Sequence, residues 1–214
     1  MNISDKKAVI FDMDGVIVDT EGIWKQAEME IFTSFGVQIT DEDAKLTQSM
    51  TTTEVTRFWY EKFPWKQKSL TEVEQMVVAR VTELIESEDC LIDGVKAFIE
   101  KLKAKKFKIG LATNSPYTII PTVLRRLEIT HLFDTVSSSE FEDKGKPDPA
   151  IYVNTARKLA VEPKSCLAIE DSYSGILAAK SAGMTVAVFT NGNKEINFEL
   201  ADYRIDSFEL VVDR

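Results

Sequence analysis

The chain has 214 residues, 44% of them hydrophobic and 29% charged, with a formal net charge of −9. That balance suits a globular protein with a sizeable core, and the lack of any basic run excludes the footprint of a nucleic-acid binder. No apolar stretch approaches the roughly 18 residues that a membrane helix needs, and the opening MNISDKK passes straight into AVIFD without the apolar segment of an export leader.

In chain order, residues 8–13 (AVIFDM) form the first near-continuous apolar run, which is how a strand buried on both faces reads. Residues 20–88 then carry helical patterns and almost no strand signal. Within them, 23–36 is amphipathic and ends at Gly36, and 53–63 stops before Pro64. Residues 69–88 begin with Ser69 three positions before Glu72, a capping-box arrangement. The aromatic stretch FWYEKFPW (58–65) lies in this block, and Trp59 and Trp65 are assigned to packing.

Beyond the block, 95–106 repeats apolar residues at helical spacing and KIGLAT (108–113) reads as a strand. The single histidine, His131, falls in a helix-to-strand turn, where a structural role is expected. TVSSS (135–139) follows as a strand, and PAIYVNTARKLA (149–160) as a helix with Pro149 in its first turn. CLAIED (166–171) and TVAVFT (185–190) are strands flanking a helix over 174–183 that closes on Gly183. Alternating strands and helices predict an α/β fold with a doubly wound parallel sheet. The predicted division is a core of residues 1–19 and 89–214 and a helical insert of 20–88, with hinges near 18–21 and 89–94. Cys90 and Cys166, distant and among apolar neighbours, are expected as buried free thiols, which suits a reducing cytoplasm.

Ligands of such sheets bind beyond the carboxyl ends of the strands. Asp12 and Asp14 stand where AVIF stops and the chain turns at Gly15. Thr113, Asn114 and Ser115 end the second strand, Lys146 sits in the loop KGKPDP, and Glu170 with Asp171 ends CLAI. Each fragment alone is the ordinary chemistry of a turn or helix cap. Together they set carboxylates at two strand ends, hydroxyl or amide at a third and a lysine in a loop. Such an oxygen-rich set suits Mg²⁺ rather than zinc. A carboxylate can attack phosphorus, and a second one two residues on can move the protons.

DMDGV (12–16), Thr113 in LATNS, Lys146 in GKPDP and Glu170-Asp171 in IEDSYSGI occur in one order across the chain. In this the sequence resembles the haloacid dehalogenase (HAD)-like superfamily of Mg²⁺-dependent phosphotransferases with a helical cap. The resemblance implies a Rossmann-like doubly wound core with an inserted all-helical cap. It implies Asp12 as nucleophile and Asp14 as general acid/base. It further implies Mg²⁺ held by Asp12, the Asp14 carbonyl and Asp171 with Glu170 assisting, and a phosphoryl group held by Thr113, Asn114 and Lys146. Glu21, Trp24 and FWYEKFPW make the sequence similar to bacterial 2-deoxyglucose-6-phosphate and hexitol phosphate phosphatases. Gly22 and Ser49-Met50-Thr51 depart from the pattern, where relatives carry proline and Gly-x-Arg, and this leaves the preferred sugar phosphate open. A β-phosphoglucomutase-like phosphomutase and, from another class, a phospho-acceptor signalling module are the alternatives. The expected partner is a small phosphorylated metabolite, with neither nucleic acid nor membrane, and a cytoplasmic monomer is the expected state.

Overall fold

The structure, a computed structural model, describes residues 3–47, 50–193 and 199–209. The chain divides into two compact units, Thr20–Cys90 and Met1–Asp19 with Leu91–Arg214. Among the described residues the first holds four helices: α1 (Glu21–Ser34), α2 (Asp41–Thr47), α3 (Thr52–Lys62) and α4 (Leu70–Ser87). Both α1 and α3 pack on α4. Capping boxes start α3 and α4. In the latter the Ser69 N–H donates to Glu72 Oε2 at 2.8 Å and the Glu72 N–H to Ser69 Oγ at 3.2 Å. The expected packing role of Trp59 and Trp65 is met, since both are buried with ring centroids 6.2 and 6.3 Å from that of Phe32.

The other unit contains α5 (Val95–Ala104), α6 (Ile120–Arg126), α7 (Ala150–Lys158) and α8 (Tyr173–Ser181) around a sheet. Its strands are β1 (Ala8–Phe11), β2 (Lys108–Thr113), β3 (Thr135–Ser138), β4 (Cys166–Glu170), β5 (Thr185–Phe189) and β6 (Tyr203–Ile205). All pairings are parallel and the order is β3-β2-β1-β4-β5-β6, so the expected doubly wound α/β core is present. The order reverses between β1 and β4, which makes their carboxyl ends the topological switch point. Strand ends differ from the sequence expectation by one or two residues. The structure adds α2, α6 and β6. Short and without a long apolar run, β6 carries too little pattern to stand out, whereas the Pro121 start of α6 with Val123, Leu124 and Leu127 was a usable signal.

Side-chain alternation in β1 explains its continuous hydrophobicity. Ala8 and Ile10 join Ile151, Tyr152 and Ala156 of α7 and Ile176 and Ala179 of α8 in one core layer. Phe11 points the other way, toward the rings of Phe98 on α5, Phe133 and Phe208. Phe208 is stacked between Phe189, with centroids 4.3 Å apart, and Phe98, at 5.1 Å. Among the described residues no helix is long and apolar enough to cross a membrane.

Because Phe208 fills the centre of this aromatic layer, Phe208→Ala should cost about 3–5 kcal/mol, whereas Ser69→Ala should cost about 1 kcal/mol through the lost cap. Urea denaturation of the two variants against the parent measures both, and equal losses would contradict the assignment.

Candidate active site

The register of the ladder assembles the site. Phe11 lies opposite both Leu111 and Ile169, so the residues that follow these three, Asp12, Ala112 and Glu170, stand side by side at the carboxyl end of the sheet. Asp12 still donates its N–H to the Ile169 carbonyl at 2.9 Å, which fixes it as an extension of β1. The chain then tightens into a turn in which the Met13 carbonyl accepts from the amides of Ile17 at 2.8 Å and Val18 at 3.2 Å. Gly15 has φ +74°, and a Cβ there would lie 1.8 Å from Asp171 Oδ2. Only glycine lets this turn lie against Asp171.

Lys146 enters from the loop before α7 and is buried. Its ammonium donates to Asp12 Oδ1 at 2.7 Å, Glu170 Oε1 at 2.5 Å and the Ala112 carbonyl at 2.9 Å, which uses all three of its hydrogens. Burial by itself would lower the Lys146 pKa, but the carboxylates of Asp12 and Glu170 outweigh it and hold the ammonium above its usual range. Glu170 is also fully buried. Its Oε1 accepts from the Tyr152 hydroxyl at 2.6 Å and its Oε2 from Ser172 Oγ at 3.2 Å. Burial, with Glu170 and Asp12 nearby, keeps the Tyr152 phenol well above its ordinary pKa, so it acts as a donor.

Asp14 forms the second cluster, half-buried, with Oδ2 accepting from Ser115 Oγ at 2.6 Å and Thr113 Oγ1 at 3.3 Å. Asn114 reaches the loop that carries Lys146. Its Oδ1 accepts from the Lys146 N–H at 2.8 Å and its Nδ2 donates to the Lys146 carbonyl at 3.4 Å, so the amide clamps the lysine's backbone.

Carboxylate oxygens of Asp12, Glu170 and Asp171 lie within 4.8 Å of one another. Burial raises the Asp12 pKa to about 8; Lys146 opposes the shift, while Glu170 and Asp14 add to it. Asp171 is likewise held well above its ordinary value, by burial first and then by Asp12 and Glu170. One lysine therefore leaves negative charge uncompensated. The all-oxygen donor set fits a hard divalent cation.

Six sequence-predicted residues thus converge: Asp12, Asp14, Thr113, Lys146, Glu170 and Asp171. Asn114 supports the lysine. Ser115, although noted at the strand end, was not singled out, and neither was Tyr152; a tyrosine on the apolar face of α7 was the available signal, because a buried phenol needs a partner. Glu21 and Trp24 belong to the helical unit. Ser49 lies outside the described residues, and the hydroxyl of neighbouring Thr51 caps α3, accepting from the Glu54 N–H at 3.4 Å.

Known proteins resemble this chain along most of its length. The chain is 34% identical over 203 residues to hexitol phosphatase B of Escherichia coli (strain K12), covering 94% of this chain and 91% of that one. It is 32% identical over 205 residues to β-phosphoglucomutase of Bacillus subtilis (strain 168), covering 91% and 88%. The crystal structure of CbbY from Rhodobacter sphaeroides in complex with phosphate superposes with a TM-score of 0.85 at 25% identity, over 95% of each chain. Residues 6–183 match the haloacid dehalogenase-like hydrolase family, and the chain belongs to that family.

Proposed function

We propose that this hydrolase is a Mg²⁺-dependent phosphatase of small sugar or sugar-alcohol phosphates that works through an aspartyl-phosphate. The observation that carries the reading is the buried Lys146 ammonium shared between Asp12 and Glu170, beside Asp171. A lysine there holds Asp12 in place, and its positive charge favours a phosphoryl group arriving beside it. Asp12, Asp171 and the Asp14 carbonyl would hold Mg²⁺, with Glu170 behind them because donors occupy both of its oxygens. Bound there, the ion would offset the crowded negative charge and polarise the phosphoryl group.

The protein's own groups then divide the work. An Asp12 carboxylate oxygen attacks phosphorus as the P–O bond to the sugar breaks, and Asp14 gives its proton to the departing oxygen. Asp14, now a carboxylate, takes a proton from water, whose oxygen attacks the phosphoaspartate and frees phosphate and Asp12. Ser115 and Thr113 orient Asp14 through its Oδ2. Sugar-phosphate chemistry is supported by the hexitol phosphatase relative at 34% identity. The mutase relative, at 32%, keeps a phosphomutase as the second reading. A mutase needs a fixed cation for its second phosphate, for which a guanidinium fork is best suited, whereas residues 49–52 read Ser-Met-Thr-Thr.

Asp12→Asn should remove nearly all turnover of p-nitrophenyl phosphate while leaving the circular dichroism of the fold intact. Asp14→Asn should cost about 10²–10⁴-fold, with the larger loss on sugar phosphates, whose leaving oxygens need the proton most. Near-normal turnover in Asp12→Asn would sink the mechanism.

Chelation should abolish phosphate release and Mg²⁺ should restore it. Ca²⁺ should restore little, because it favours more ligands and looser geometry. Calorimetric Mg²⁺ titration should show a larger loss of affinity for Asp171→Ala than for Glu170→Ala. Full activity in excess chelator would contradict the metal assignment.

The two enzyme readings separate on one assay. With β-glucose 1-phosphate, catalytic glucose 1,6-bisphosphate and Mg²⁺, free phosphate should accumulate faster than glucose 6-phosphate. The reverse order would establish the mutase.

A further inference from the structure

Tyr152 lies on α7, fully buried, and contacts the site from behind Lys146. Its hydroxyl donates to Glu170 Oε1 at 2.6 Å, the same oxygen that accepts from Lys146, and the Lys146 ammonium stands 5.1 Å from the centre of its ring. We propose that Tyr152 is a positioning residue of this site: by holding Glu170 Oε1, its hydroxyl sets how strongly that carboxylate draws Lys146, and so keeps one ammonium hydrogen on Asp12. The inference rests on the phosphatase reading above and extends it to a residue that touches neither substrate nor metal.

The balance is sterically and electrostatically tight. Glu170 cannot swing aside, because its carboxyl packs against Gly175, where a Cβ would lie 2.0 Å from it. Its Oε2 is already engaged by Ser172. Lys146 has three hydrogens and three acceptors, Asp12, Glu170 and the Ala112 carbonyl. A stronger pull from Glu170 therefore draws the ammonium away from Asp12 rather than from a spare partner. The phenol hydrogen bond neutralises part of the Glu170 charge at the oxygen that faces Lys146. Without it, Glu170 Oε1 answers only to the lysine, and the lysine shifts toward it. The ring face under the ammonium adds a cation–π contact that phenylalanine would keep.

The experiment compares wild type, Tyr152→Phe, Glu170→Gln and the double variant with p-nitrophenyl phosphate and Mg²⁺, with melting curves for each. Tyr152→Phe should keep a near-native melting temperature and an unchanged KM while kcat falls about tenfold, the pattern of an interaction that matters in the transition state. In the Glu170→Gln background the same substitution should change kcat by less than about twofold, because the two residues act as one unit. A purely structural tyrosine would lower the melting temperature and leave kcat alone. An unaltered kcat, or a full tenfold loss retained in the Glu170→Gln background, overturns the proposal. A second readout is independent of turnover. In ¹⁵N-lysine-labelled protein the protected Lys146 ammonium signal, assigned by its loss in Lys146→Arg, should shift in Tyr152→Phe and stay in place if Tyr152 is idle. A wild-type protein that releases no phosphate would overturn the phosphatase reading alone, and this signal would then decide the role of Tyr152.

Discussion

A single buried ammonium organises the rim of the sheet. Asp12, Glu170 and Asp171 crowd their carboxylates within 4.8 Å in a place largely withdrawn from water, and among the described residues Lys146 is the one that reaches in with opposite charge. Its three hydrogen bonds end on three different segments, the residue after β1, the end of β4 and the Ala112 carbonyl in β2. Removing one partner of such a buried pair typically costs about 3–5 kcal/mol, because the other charge is left uncompensated. The lysine thus joins the strand ends while the excess negative charge around it remains available to a cation. A site with matched charges would be more stable and less attractive to a cation.

The parallel sheet makes this arrangement possible. Its ladder aligns Phe11 with Leu111 and Ile169, so apolar side chains that bury themselves on both faces deliver polar residues to one edge. The reversal of strand order between β1 and β4 keeps any helix from crossing above that point. Close approach does the rest. Gly15 admits the first turn against Asp171, and Gly175 admits the start of α8 against Glu170. At either position a methyl group would occupy the place of a carboxylate.

The candidate site draws on one of the two units. Every group that handles the phosphoryl transfer in the proposed mechanism comes from the sheet-bearing unit, whose motifs are those of the haloacid dehalogenase-like hydrolases. Gly22 and the 49–51 stretch, where the family resemblance leads one to expect proline and Gly-x-Arg, belong to the helical unit. Thr51 shows how local demands constrain such departures: its hydroxyl serves the α3 capping box, so it is committed to backbone groups of its own helix. The relatives of this chain include both a phosphatase and a mutase.

By itself the sequence determined the parallel α/β core, the helical insert, the capping box at Ser69, the strand-end residues Asp12, Asp14, Thr113, Glu170 and Asp171, and the loop residue Lys146. These were legible because hydrophobic period, helix caps and turn residues are local signals, and because strands of a parallel sheet present their carboxyl ends together. The roles of Asn114, Ser115 and Tyr152 were decided only by the tertiary structure. Nothing near Asn114 in the sequence says that its amide will meet the backbone of Lys146, 32 positions away, or that Ser115 will reach Asp14, 101 positions back. Tyr152 reads in sequence as one more residue on the buried face of α7. Its contact with Glu170 follows from α7 packing on the same sheet face as α8, and such a partner is chosen by three-dimensional packing rather than by any periodicity along the chain.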